Sequence, residues 1–123
     1  MDTDGPVIKI KKGVFMARGQ RVVAAADAAA FYEVTPHALL CAVARNRRKF
    51  TRQFMFRFTP REQAAVPALM GLARPPLVFT EIGVSMLSTV LNSGKAARIN
   101  VEIVREVVRT LKSLGLSAWD MLR

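Results

Sequence analysis

The sequence of 123 residues has one cysteine, one histidine and no long hydrophobic run. A single cysteine, Cys41, excludes a disulfide framework and a cysteine-based metal site, and it fits a reducing cytoplasm. Asp27 and Pro67 interrupt the longest apolar stretches before they reach the roughly 18 residues of a membrane helix. The acidic start, MDTDGPVIKI, is not typical of a signal peptide. We therefore expect a cytoplasmic protein that does not bind membranes.

The sequence also lacks the patterns of common catalytic sites. It has no glycine-rich phosphate loop, no GxSxG or HExxH motif and no metal-ligand spacing. His37 and Cys41 are four residues apart on one predicted helix, so a thiol–imidazole pair is geometrically conceivable. A single cysteine on an apolar helix face, however, is usually inert packing. We therefore expect no enzyme, no catalytic residue, no metal and no cofactor.

Positive charge, in contrast, is abundant: 19 Lys and Arg against 9 Asp and Glu give a net charge of +10. The densest cationic segment, residues 45–61 (RNRRKFTRQFMFRFTPR), holds seven basic residues, no acid and four phenylalanines. Such a segment indicates a polyanionic partner, because Lys and Arg that neutralise phosphates release counterions. The alternative is a solvated helix end whose cations complement the helix dipole.

The hydrophobic pattern of the first half predicts a hairpin followed by two helices. Residues 7–23 read as strands joined by a turn in which Gly19 takes a positive φ. The alanine-rich residues 24–32 form a short helix. Thr35 and Pro36 then cap a second helix that runs to about Asn46, which gives a helix-turn-helix arrangement.

The second half predicts a strand at residues 54–58 and a short helix started by the capping box of Thr59 and Glu62. A variable loop (69–76), a short strand (77–79) and a helix that starts at Thr80 and ends at 92–94 follow. A long helix at 95–114 carries a wide apolar stripe, and we expect it to be the hydrophobic scaffold. Gly115 stops this helix. The tail, residues 116–123, docks on the core or offers an apolar contact.

These elements predict one small, compact α+β domain with a short β-hairpin or sheet, a helix-turn-helix-like helix pair and a long C-terminal helix. The boundaries are an N-terminal extension or strand (1–13), a DNA-binding domain (14–114) and a tail (115–123). The four phenylalanines of the basic segment could stack on single-stranded bases, but core filling is the favoured interpretation, because a domain of this size needs large apolar anchors.

The candidate DNA contacts fall into three groups. Phosphate contacts are expected where basic residues follow the second helix, and base contacts near its start, where a recognition helix enters the major groove. The hairpin turn is a second candidate, because a β-ribbon can also enter a groove; a solvated turn is the alternative. The three groups are Arg45, Arg47, Arg48, Lys49 and Arg52; Thr35 and His37; and Arg18, Gln20 and Arg21.

Several strings resemble a known family. They are RGQRVV (18–23), D-x-A-x-F-Y-x-V (27–34) with AVARN (42–46), FTRQFMFRFT (50–59), FTEIGVSMLSTVL (79–91) and NVEIVREVV (100–108). On these motifs the chain resembles, over roughly residues 14–111, the open-reading-frame-six N-terminal domain, a phage and prophage module related to the KilA-N and Bro-N domains. The resemblance implies a compact α+β domain that binds DNA, as part of a phage- or prophage-derived transcriptional regulator or antirepressor, and it implies no enzyme.

Duplex DNA is therefore the expected partner. The alternative is a protein-interaction module that binds a repressor or an acidic host factor through the basic face or the Trp119 tail. A homodimer formed through the stripe of the final helix is compatible with either interpretation.

Overall fold

A computed structural model describes residues 7–115 as a five-stranded antiparallel sheet with helices on both faces. The strand order is β1-β2-β3-β5-β4, so β1 and β4 form the two edges. The strands are β1 (Ile8–Lys11), β2 (Val14–Ala17), β3 (Gln20–Ala24), β4 (Met55–Arg57) and β5 (Leu77–Thr80). The helices are α1 (Ala25–Phe31), α2 (Pro36–Arg45), α3 (Pro60–Ala64), α4 (Glu81–Leu87) and α5 (Gly94–Ser113), with short 3-10 turns at Arg47–Lys49 and Pro67–Leu69. The α+β prediction is confirmed, whereas the predicted role of the tail at 116–123 falls outside the described residues.

Two hydrophobic clusters fill the space on either side of the sheet. On one face, α1, α2, α4 and the first turns of α5 enclose Tyr32, Leu39, Phe79 and Leu87. On the other face, Phe15, Val22, Phe56, Phe58 and Val78 pack with residues that follow α3. Phe50, Phe56 and Phe58 are buried and Phe54 is half-buried, so the prediction that these rings fill the core is confirmed.

The predicted hairpin and helix pair are both present. Arg18 and Gly19 have positive φ values of 53° and 77° in the turn that joins β2 to β3, as a two-residue hairpin with the native strand twist requires. Thr35 caps α2 by accepting a 3.0 Å hydrogen bond from the Ala38 N–H. Between the helices, Glu33 adopts a left-handed conformation at φ 62°, which turns the chain sharply after α1.

Two predictions for the carboxyl-terminal helices are wrong. α4 ends at Leu87, and Ser93, expected within the signal that ends this helix, instead caps α5 by accepting a hydrogen bond from the Ala96 N–H. α5 is also no scaffold, because Ala96 is its one buried residue, whereas Val101, Val104 and Val107 are about half exposed. The helix is amphipathic, but only its first turns lie against the core.

An ion pair on the second face of the sheet joins the hairpin turn to α3. The guanidinium of Arg18 donates two hydrogen bonds to Glu62, at 2.9 and 3.0 Å, and lies 3.9 Å from the centre of the Phe56 ring. Glu62 is only 2% exposed and also accepts a 2.8 Å hydrogen bond from the Thr59 N–H in the predicted capping box. Burial by itself would raise the pKa of Glu62, but these hydrogen bonds and the charge of Arg18 outweigh it and hold the pKa below its usual value.

The lowered pKa of Glu62 gives the ion pair a defined pH dependence. The folded protein binds the Glu62 proton less readily than the unfolded chain, so the stabilisation is complete above the unfolded pKa of about 4.3 and is lost as the pH falls through the folded pKa. We expect Glu62→Gln to melt well below the wild type at neutral pH, and the difference in Tm to shrink as the pH is lowered below about 4. Glu102→Gln, which changes an exposed carboxylate, is the control and should follow the wild type throughout. A difference in Tm that is independent of pH would contradict this account.

Candidate nucleic-acid interface

Five predicted phosphate contacts lie together where α2 ends. Arg45 is the last residue of α2, the next three cations form the 3-10 turn Arg47–Lys49, and Arg52 follows in the turn that leads into β4. All five residues are exposed. We call this group the basic cluster: Arg45, Arg47, Arg48, Lys49 and Arg52.

Buried contacts on both sides of Thr51 fix the chain that carries the basic cluster. Phe50 is 5% exposed and packs edge-on against Phe79, with 6.1 Å between the ring centres. The Thr80 hydroxyl donates a 2.7 Å hydrogen bond to the Gln53 carbonyl, and the Thr80 N–H donates to the Phe54 carbonyl. Arg52 lies between these anchored residues, and the other four cations lie between the buried Val43 of α2 and Phe50. The backbone that carries the cluster therefore has a defined path, although the side chains of the cluster are exposed.

No carboxylate within residues 7–115 pairs with a cation of the basic cluster. In the part of the chain that the structure describes, the ion pairs join Arg18 to Glu62 and Arg109 to Glu106, and neither involves this cluster. An unpaired, exposed guanidinium keeps its full charge for a ligand, and several of them within eight residues add their potentials. The arrangement is suited to bind a polyanion.

The predicted base contacts lie at the opposite end of α2. His37 is exposed in the first turn, whereas the Thr35 hydroxyl oxygen already accepts the capping hydrogen bond. Arg45 is eight positions after His37, which corresponds to about 12 Å along a helix, and the major groove of B-DNA is also about 12 Å wide. A helix that presents His37 to a base edge would therefore bring Arg45 close to the flanking phosphates.

The sulfur of Cys41 lies 3.5 Å from Nε2 of His37 on the exposed side of α2. No other side chain among residues 7–115 orients this imidazole by a hydrogen bond. The same residues contain no group of three or more His, Cys, Asp or Glu side chains that could hold a metal ion. The pair is a local contact on the surface of α2.

The three hairpin residues predicted as contacts have two different environments. Arg18 is held by Glu62, so its guanidinium serves the fold. Gln20 and Arg21 are exposed. They lie at the same end of the sheet as the turn before β4, because Val22 lies opposite Thr80 and the Thr80 N–H bonds to the Phe54 carbonyl. Two strand spacings, about 10 Å, separate β3 from β4, so Arg21 extends the positive surface towards the basic cluster.

The sequence analysis did not identify Gly83, the residue that lets α4 pack against the turn before β4. A Cβ atom on Gly83 would lie 1.8 Å from the carbonyl oxygen of Phe54, so only glycine allows α4 to pack this closely. A glycine inside an otherwise regular helical pattern was the available signal, because it indicates a close backbone approach.

We expect Gly83→Ala to destabilise the protein, although helix propensity alone would favour alanine by about 1 kcal/mol. The new methyl group meets backbone, which cannot rotate away, so the Tm should fall by an amount equivalent to about 1–3 kcal/mol. Gly94→Ala is the matched control, because a Cβ there meets nothing closer than the Arg98 side chain at 3.5 Å. Thermal melts should show a lower Tm for the first variant and an equal or higher Tm for the second; the reverse order would contradict the close contact.

The family model of the ORF6N domain matches residues 12–90. ORF6N stands for open-reading-frame-six N-terminal. No curated protein and no solved structure gives a significant match. None of the helices within residues 7–115 is both long and apolar enough to span a bilayer. The matched residues include the helix pair and the whole basic cluster, whereas α5 lies beyond them. Because this match covers more than half of the chain, the protein belongs to the ORF6N family, a phage-type domain family.

Proposed function

We propose that this protein is the DNA-binding module of a phage- or prophage-derived transcriptional regulator or antirepressor, and that it binds duplex DNA through the basic cluster. The observation that carries the proposal is the set of five exposed, unpaired cations on a segment anchored by Phe50. Membership of a phage-type family is consistent with a regulatory role. The function is binding, without a catalytic step.

The cations of the basic cluster bind phosphates, and α2 lies along the major groove. His37 is the side chain near the start of α2 that can reach a base edge, while the exposed Gln20 and Arg21 contact the backbone beside the groove. Phosphate contacts position a protein without reading the sequence. With so few base contacts, most of the affinity is expected to be electrostatic and therefore dependent on salt.

The double variant Arg47→Ala, Arg48→Ala tests the basic cluster directly. If both side chains bind phosphates, affinity for duplex DNA falls by about tenfold or more, and the slope of log K against log salt becomes shallower by about 2 units. Both residues are exposed and have no ion pair within residues 7–115, so the free energy of unfolding should change by no more than about 0.5 kcal/mol and the Tm should hardly move. Electrophoretic shift or fluorescence anisotropy at several salt concentrations measures both effects.

The control is Arg98→Ala, Arg105→Ala, which removes the same charge from two exposed positions on α5. If both double variants lose affinity equally, the effect comes from net charge and the basic cluster is not the site. If neither loses affinity, the DNA-binding site lies elsewhere on the protein. If the unaltered protein gives no DNA shift at low salt, the DNA-binding proposal fails, and the predicted alternative, binding to a repressor or an acidic host factor, becomes the better account.

Burial of the phenylalanine rings also predicts a preference for duplex over single-stranded DNA. Proteins that bind single strands stack bases on exposed aromatic rings, but of the four rings in the basic segment Phe50, Phe56 and Phe58 are buried and Phe54 is half-buried. We expect a duplex probe to bind more tightly than either of its separate strands at the same salt concentration. Tighter binding of a single strand, measured by parallel anisotropy titrations, would contradict the proposed docking of α2 in a groove.

A further inference from the structure

A large groove opens at the end of the sheet opposite the basic cluster. Its volume is about 900 Å³, near the upper limit of the roughly 300–1,000 Å³ typical of ligand sites. Gly13, Ala24, Arg57 and Leu77 line it, which places it where β2 begins and β4 ends. The turn before β4, which carries Arg52, lies at the other end of the same strands. No residue of the basic cluster lines the groove, although Leu40 of α2 forms part of its wall.

One wall of the groove is the segment between α3 and β5, and hydrogen bonds hold that wall in place. The Gln63 side chain donates to the carbonyl oxygens of Leu69 and Leu72, at 2.9 and 3.3 Å. Arg57 donates a 2.7 Å hydrogen bond to the Pro75 carbonyl, and the Phe58 N–H donates to the Pro76 carbonyl. The segment that we predicted to be a variable loop is thus fastened at four carbonyl groups, and the groove is preformed.

The lining combines aliphatic surface with positive charge. Leu40 and Leu72 are 45% and 47% exposed, and they lie in the groove with Leu69, Leu77 and two prolines. Four cations, Lys9, Lys12, Arg57 and Arg74, line it against a single carboxylate, Asp27. No ion pair within residues 7–115 occupies these cations. An occupant that fits must bury aliphatic groups and carry negative charge.

We propose that this groove binds an acidic peptide segment that also carries aliphatic side chains, supplied by a partner protein. The carboxylates of the peptide pair with Lys9, Lys12 and Arg74 at the rim, and its aliphatic side chains cover Leu40 and Leu72. Nucleic acid fits less well, because the one aromatic ring in the lining, Phe15, is buried and offers no stacking surface, and phosphates would leave the leucines uncovered. The proposal does not depend on DNA binding by the basic cluster.

Selection from a random peptide display library against the immobilised full-length chain tests this proposal, because the library contains every side-chain chemistry. Enriched peptides should contain more Asp and Glu, together with Leu, Ile or Val, than the input library. Synthetic copies labelled with a fluorophore should bind Lys12→Glu, Arg74→Glu about tenfold more weakly than the wild type, since two favourable pairs become repulsive. Leu72→Ser should also weaken binding of the same peptides, because it removes aliphatic surface without changing the charge of the protein.

The matched control is Arg47→Glu, Arg48→Glu, which makes the same change in net charge at the opposite end of the sheet. It should retain peptide binding, whereas equal losses in the two charge-reversal variants would overturn the proposal. Selected peptides without an excess of acidic residues would also overturn it. The proposal would also be overturned if peptides were enriched only with the variant Asp2→Asn, Asp4→Asn, because the groove would then bind the acidic amino terminus of the chain itself. Loss of duplex DNA affinity in Lys12→Glu, Arg74→Glu, without any enriched peptide, would assign the groove to DNA instead.

Discussion

The presentation of the basic cluster depends on the burial of Phe50 against Phe79. The ring lies in the core between exposed cations on both sides, and its edge-on contact is a geometry that aromatic pairs favour. Three residues further on, the Gln53 carbonyl accepts the Thr80 hydrogen bond, which fixes the other end of the turn. A segment held at both ends loses less conformational entropy when it binds a ligand than a free basic tail would lose. Apolar burial thus positions charges that could not otherwise hold a fixed arrangement.

Net charge alone does not tell which cations are available to a ligand. Arg18 adds as much to the net charge as Arg47 does, but it lies over Phe56 and donates to a buried carboxylate, so it stabilises the packing of the hairpin turn on α3. Among the cations without an ion pair in residues 7–115, two groups lie at opposite ends of the strands. One group is the basic cluster at the end of α2, and the other lines the groove beside aliphatic side chains. The different surroundings suit different partners, although both groups are positive.

Local signals predicted most of the elements. The hydroxyl-proline pairs at Thr35 and Thr59 start helices where expected, because a cap satisfies N–H groups within three residues of itself. The long helix was predicted within one residue at each end, but its role was not. An apolar stripe indicates which face of a helix seeks burial, and the position of the helix relative to the core decides whether that face is covered. On α5 the body of the domain reaches only the first turns, and the homodimer through its exposed stripe remains a prediction.

Sequence by itself determined the α+β class, the caps at Thr35, Thr59 and Thr80, the positive φ at Gly19 and the segment rich in cations, because each of these depends on residues a few positions apart. Tertiary structure decided which cations are paired and where cavities form. Arg18 and Glu62 are 44 residues apart in the chain, and the groove is built from the start of β2, the end of β4 and the segment before β5. Distances in space decide whether a cation has a carboxylate partner and whether a leucine side chain is covered. The antiparallel pairing of distant strands sets those distances.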